Sequence, residues 1–188
     1  MWKARDDNGF EVALKFIRLD IRTGPAELRG LEVMRNVRNA HVLPMFRSWN
    51  FGNWLILALE LGDQNLYQRL QEAEKRGEVG IPRPELLEHL REAAKGLDYL
   101  HGKNIRHRDV KPENLLLVGG SVKVADFSLV KLLEATVASN TNHHVAGTPF
   151  FTAPEAWRGK THKHSDQFAL AVSWCQLRGG KFPFHGTG

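Results

Sequence analysis

The apolar patterning of Glu11–Arg18, clearest in the period of two at Val12-Ala13-Leu14-Lys15, predicts a strand, and a second is expected at Met1–Lys3. Asp7-Asn8-Gly9 joins them, because Asn-Gly tolerates the positive φ of a tight turn. Pro25–Arg38 follows as a helix: proline suits the first turn, and Leu28, Leu31, Met34 (or Val33) and Val37 recur at helical spacing. Val42–Phe51 and Trp54–Leu61 then form a hairpin turning at Gly52-Asn53. This first part of the chain is a small, strand-rich unit.

From Gln64 onward the character changes. Leu66–Arg76 is a charged helix, and Pro84–His101 is a longer one whose Leu86, Leu90, Ala93, Leu97 and Leu100 make one apolar stripe. Short strands at Leu115–Val118 and Val122–Ala125 flank Gly119-Gly120, and a long polar loop covers Leu132–Thr152. Loops of that length inside a domain are usually functional. Ser165–Leu177 reads as a helix with Phe168, Leu170, Val172, Trp174 and Leu177 around its circumference, which calls for cover on every side.

These elements occupy 188 residues, enough for one domain with a buried core, at a hydrophobic content of 42% and a charged content of 25% that exclude disorder. The net charge of +5 comes from scattered Lys and Arg without a dense tract, so nucleic acid is not an expected partner. Cys175 is the sole cysteine; it cannot form an internal disulfide, it is expected as a buried small hydrophobe, and it suits a reducing, cytoplasmic setting. The longest apolar runs, Leu55–Leu59 and Phe168–Cys175, are too short to cross a bilayer. The nine histidines lack the cysteine partners and helical spacing that tetrahedral zinc would use.

Candidate chemistry concentrates in His107-Arg108-Asp109-Val110-Lys111-Pro112-Glu113-Asn114, just before the apolar run Leu115-Leu116-Leu117. It offers a proton acceptor, a phosphate-neutralising cation and an oxygen ligand for a metal within one short turn. The run resembles the catalytic loop of protein kinases, and Lys111 two residues after Asp109 resembles the serine/threonine branch. Twelve residues after Asn114, Asp126-Phe127-Ser128 is similar to the metal-binding Asp-Phe-Gly of that family, with Ser128 where Gly is usual. Serine reaches positive φ only with strain, so the departure bears on the freedom of this loop.

The resemblance implies further assignments. Lys15 would grip the α- and β-phosphates of ATP, with Ala13 packing on the adenine. Its carboxylate partner would be Glu27, which shares a helix face with Leu31 and Met34, rather than Glu32 on a polar stripe. Leu59-Glu60-Leu61-Gly62-Asp63 resembles the interlobe hinge, Leu59 as gatekeeper and the backbone at Glu60 and Leu61 meeting the adenine edge. Asn114 and Asp126 would bind Mg²⁺, Asp109 and Lys111 would act on the transferring phosphoryl group, and Asp166 would hold the catalytic-loop backbone. Gly147-Thr148-Pro149 and Ala153-Pro154-Glu155 look like the end of an activation segment, with Thr141 the expected phosphosite opposite Arg108.

The implied fold is α+β and two-lobed, with residues 1–61 as a β-rich N-lobe and 62–188 as a portion of a helical C-lobe. The family's Gly-rich phosphate loop would precede Met1 and its last helices would follow Gly188, including an Arg that pairs with Glu155, so the expected unit is a partial kinase domain. The implied activity is ATP- and Mg²⁺-dependent phosphorylation of Ser or Thr hydroxyls on a protein substrate. The alternative is a non-catalytic kinase-like module, or a gene fragment that only binds nucleotide. Neither oligomeric state nor substrate identity is legible.

Overall fold

The computed structural model describes residues 1–19, 31, 34–126, 149–160 and 162–184. Four strands, β1 (Trp2–Arg5), β2 (Glu11–Arg18), β3 (Met45–Phe51) and β4 (Trp54–Glu60), form an antiparallel sheet in the order β1-β2-β4-β3. The β1–β2 turn closes as expected, with Gly9 at φ 83° and the Asp6 carboxylate accepting the N–H of Asn8 and of Phe10. Register fixes the two faces: Ala13 lies opposite Leu59, Lys15 opposite Leu57 and Ile17 opposite Leu55. Leu55, Leu57 and Leu59 are all buried, so this face turns toward the body of the molecule.

Leu31, Met34 and Arg35 are helical, and Leu31 and Met34 are buried. The helix stops short of the expected Arg38. Val37 N–H closes a tight turn onto the Met34 carbonyl, and the N–H of Arg38 is taken by the Tyr99 hydroxyl at 2.9 Å. Residues 20–30, 32 and 33, including Glu27 and Glu32, lie outside the described residues.

The remaining elements are helices around a second, three-stranded sheet. Helix α1 (Leu66–Lys75) starts at a reciprocal cap, in which Asn65 accepts the Gln68 N–H at 2.8 Å and Gln68 accepts the Asn65 N–H at 2.9 Å. Helix α2 (Arg83–Gly102) begins with proline in its first turn and buries Leu86, Ala93, Leu97 and Leu100, four members of the expected stripe, with Leu90 packed beside them. Strands β5 (Gln64–Asn65), β6 (Leu115–Val118) and β7 (Ser121–Val124) pair in that order. Helix α3 (Lys163–Gly179) packs against α2 and ends at Gly180, φ 64°.

The cover that α3 calls for is supplied in part. Ala169, Val172 and Leu177 are buried, and Phe168, Leu170 and Trp174 pack half-buried against the core, with Phe184 stacked on Phe168 at 6.0 Å between ring centroids. From the C-terminal stretch, Phe184 covers Phe168. Cys175 is half-buried rather than enclosed. No helix of the described residues is long and apolar enough to cross a membrane.

One seam joins the first sheet to the second. Val42 and Val124 form a parallel bridge, with Leu43 N–H donating to the Val124 carbonyl and Val124 N–H to the His41 carbonyl, each at 2.9 Å. Gly96 of α2 lies directly against this seam, where an added methyl would overlap the His41 carbonyl oxygen. Gly96→Ala should therefore destabilise the fold by about 1–3 kcal/mol, the usual cost of overpacking a tight contact. Urea unfolding checks this; unchanged stability would mean that the helix-to-seam contact yields freely.

Candidate functional site

Helix α3 places Asp166 in its first turn with 2% of its surface exposed. Oδ1 accepts the backbone N–H of Arg108 at 2.8 Å, and Oδ2 accepts that of His107 at 2.9 Å. His101 Nε2, on the last turn of α2, lies 2.7 Å from the same Oδ2. Burial works against ionisation here and is the largest single influence. The His101 hydrogen bond, the nearby His107 ring and the two backbone donors together outweigh it, holding the carboxyl below its ordinary range. Arg108 adopts φ 63°, unfavourable for an L-residue, and the Asp166 bonds are what hold it there.

The loop so anchored carries its chemistry in a fixed arrangement. The fully buried His107 accepts the Asp109 N–H at Nδ1 (3.2 Å) and reaches the Ala125 carbonyl from Nε2 at 2.8 Å. Its ring therefore ties the loop to the segment that follows β7. Pro112–Asn114 is a short 3₁₀ turn, and the Asn114 carbonyl accepts the Ala125 N–H at 2.8 Å. The Asn114 amide nitrogen donates to the Asp109 carbonyl at 2.7 Å and to its Oδ2 at 3.2 Å. Lys111 Nζ lies 3.5 Å from the same Asp109 oxygen. Asp109, Lys111 and Asn114, sequence candidates all, are thus brought into one cluster.

Asp126 follows β7 at φ 60° and forms an ion pair with Lys15 of β2. Lys15, Glu113, Asn114 and Asp126 are the polar lining of a cleft enclosing about 560 Å³ of solvent-open space. Its wall is apolar, formed by residues such as Ile17, Met34, Leu43, Leu57 and Leu59. Of the expected hinge, Leu59 lines the cleft, whereas the Glu60 carboxylate pairs with Lys123 and Leu61 packs on the core. The Glu60 N–H is already bonded to the Pro44 carbonyl at 3.2 Å. Ala13 is buried on the face of β2 that carries Lys15, two residues from it. The carboxylate that meets Lys15 is Asp126; Glu27, Ser128, Thr141 and Thr148 lie outside the described residues.

Among the described residues no three of His, Cys, Asp and Glu gather closely enough to cage a metal. Asn114 and Asp126 instead offer two oxygen donors on one cleft: the Asn114 nitrogen is engaged with Asp109, which leaves its oxygen as the ligand atom. Two protein oxygens with open positions fit Mg²⁺, which keeps waters and shares substrate phosphates.

Glu155 departs from expectation. It is half-buried rather than an enclosed, unpartnered charge, and it accepts the Ser165 hydroxyl at 2.7 Å. That hydrogen bond, more than any other influence, lowers its pKa. Ser165 Oγ also accepts the His162 N–H at 3.1 Å, which joins Glu155 to the start of α3. Sequence reasoning missed His101 and the Glu60–Lys123 pair. His101 stands on the last turn of α2 just ahead of the loop, but nothing in its own neighbourhood indicates a partner 65 residues away.

Residues 2–188 match the family described as "Protein kinase domain", and the chain belongs to that family. Similar proteins include serine/threonine-protein kinase 36 of Pongo abelii, 29% identical over 94% of this chain and 13% of that protein. NUAK family SNF1-like kinase 2 of Homo sapiens is 29% identical over 98% of this chain and 29% of its own length. CBL-interacting protein kinase 26 of Oryza sativa subsp. japonica is 30% identical over 85% of this chain and 32% of its own length. The chain therefore spans less than a third of each of these relatives.

Asp166→Asn should cost about 1–3 kcal/mol, because one buried backbone N–H or His101 loses its acceptor. The sign with pH follows from the depressed carboxyl: the stability it contributes is present above the ordinary Asp value, about 3.9, and is lost as pH falls through the lower folded-state value. The gap between wild type and Asp166→Asn in urea unfolding should hold from neutrality to about pH 4 and narrow only below that. A gap unchanged at the lowest pH that supports folding would contradict the assignment.

Proposed function

We propose that this chain is the catalytic portion of a serine/threonine protein kinase, which transfers the γ-phosphoryl group of ATP to a Ser or Thr hydroxyl of a protein substrate. The observation that carries this reading is the convergence of Asp109, Lys111 and Asn114 beside a cleft that also holds Lys15 and Asp126. The serine/threonine specificity rests on Lys111 and on the names of the relatives. In this reading residues 1–61 form the N-lobe and 62–188 a portion of the C-lobe.

The apolar wall takes the adenine, near Ala13 and Leu59 and against the backbone at Glu60 and Leu61. Lys15 leaves its pairing with Asp126 in part to hold the α- and β-phosphates, with Glu27 as its second carboxylate. Asp109 orients the acceptor hydroxyl and takes its proton as the oxygen bonds to the γ-phosphorus and the bond to the β–γ bridging oxygen breaks, releasing ADP. Lys111 neutralises charge on the transferring group. Mg²⁺, when bound to Asn114 and Asp126, supplies further neutralisation of the phosphate oxygens.

Asp109→Asn keeps the hydrogen bond from Asn114 within reach while removing the proton acceptor. It should lower phosphoryl transfer by about 100-fold or more, with folding retained by circular dichroism. Radiolabelled transfer followed by phosphoamino-acid analysis should find phosphoserine and phosphothreonine. Predominant phosphotyrosine, or undiminished transfer by Asp109→Asn, would overturn the reading. Nucleotide binding without any transfer in the wild type would favour a nucleotide-binding module instead.

A further inference from the structure

The face of the first sheet turned away from the core is built from aromatic residues. Register places Phe16, Ile56 and Trp49 in one row across the sheet, with Trp54 and Phe51 in the next and Trp2 beside Leu14 on the other side. Trp2, Phe16, Trp49, Phe51 and Trp54 are 70%, 42%, 45%, 74% and 43% exposed. An antiparallel sheet with one solvated face ordinarily alternates apolar inward and polar outward. Here both faces are apolar, and exposed patches of this kind mark interaction sites.

Charge and width identify the occupant. The cations of this face, Arg18 opposite Trp54 and Arg47 opposite Ala58, stand at opposite corners of the patch, and neither is ion-paired to a described residue. The carboxylate at the end of the face, Glu60, is taken by Lys123. Tryptophan and arginine together are the composition of binding hot spots. In flat projection the patch covers three strand spacings of about 4.8 Å, about 14 Å in all, by about 16 Å of strand, roughly 230 Å². A strip of that width is close to the diameter of one helix with its side chains, about 10–12 Å. A second copy offers no carboxylate from this face to meet either arginine, since its Glu60 is paired with Lys123.

We infer that this face docks an acidic amphipathic helix from a partner protein, its apolar stripe on Phe16, Trp49 and Trp54 and its carboxylates on Arg18 and Arg47. On the strand lattice the two arginines are about 16 Å apart. That separation matches about eleven residues, or three turns, of helix, and residues so spaced return to one side of it. The mode is helix-on-apolar-surface recognition with charged ends fixing the register.

The test titrates the chain with synthetic helical peptides of about 18 residues, with leucine on one face and glutamate elsewhere, in several registers, alongside their lysine-for-glutamate counterparts. Intrinsic tryptophan fluorescence, measured in a Trp157→Phe/Trp174→Phe background, reports on Trp2, Trp49 and Trp54. A glutamate peptide should bind with a blue shift, at least about tenfold more tightly than its lysine counterpart. Arg18→Glu/Arg47→Glu should lose at least about tenfold of that affinity. The double variant Arg91→Glu/Lys95→Glu, which makes the same change of charge on the exposed side of α2, should lose less than about twofold. Equal loss in both double variants would reduce the effect to net charge and overturn the proposal. So would absence of binding by every glutamate peptide, a concentration-dependent dimer that itself buries the tryptophans, or a fluorescence shift with phosphatidylglycerol vesicles but none with peptide.

Discussion

Asp166 sits where two helices and the loop between them must agree. Its carboxylate accepts the backbone N–H groups of His107 and Arg108 and meets His101, so the end of α2, the start of α3 and the loop before β6 are fixed to one another through a group that is almost wholly buried. Isolated, such a charge would be costly; surrounded by three donors it is held ionised. The bonds also hold Arg108 in the left-handed region, and that reversal turns the next residue, Asp109, toward Asn114 and Lys111. Rigid positioning of this kind is what a reaction driven by orientation and electrostatics needs.

The cleft depends on a second constraint, the seam between the two sheets. Backbone bonds through Val124, the Gly96 approach to His41, and the Glu60–Lys123 pair connect the end of β4 and the His41–Leu43 segment to β7. Because Ala125 and Asp126 follow β7 directly, the same connections set how far Asp126 stands from Lys15 on the first sheet. His107 closes the circuit by binding the Ala125 carbonyl. The His107–Asn114 loop and Asp126 are thus held by one hydrogen-bonded network rather than by separate supports.

Much of this was legible in the sequence where the signal is local. Six strands and three helices fall close to their expected positions, since alternation, apolar stripes and Gly-Asn or Gly-Gly turns act over a few residues. The order of residue types in His107–Asn114 was informative because no plain turn requires it. What escaped depends on distant partners. The two-residue β5 exists only by pairing with Leu116 and Leu117. The helix before β3 stops short of Arg38, whose N–H goes to Tyr99, and Glu155 is answered by Ser165 rather than left as an isolated charge. The aromatic face of the first sheet was hidden for another reason: Phe16, Trp49 and Trp54 look like core residues, and only the strand register reveals that they point outward.

In the proposed function Lys15 and Asp126, brought together from the two sheets, form with Asn114 a receptor for nucleotide phosphate and its metal. Calorimetric titration with ATP in the presence and absence of Mg²⁺ tests it most directly. Binding should be Mg²⁺-dependent in the wild type, weaker by at least about tenfold in Lys15→Ala, and no longer strengthened by Mg²⁺ in Asp126→Ala. Binding with the same affinity in all three proteins, indifferent to Mg²⁺, would place the nucleotide elsewhere and contradict it.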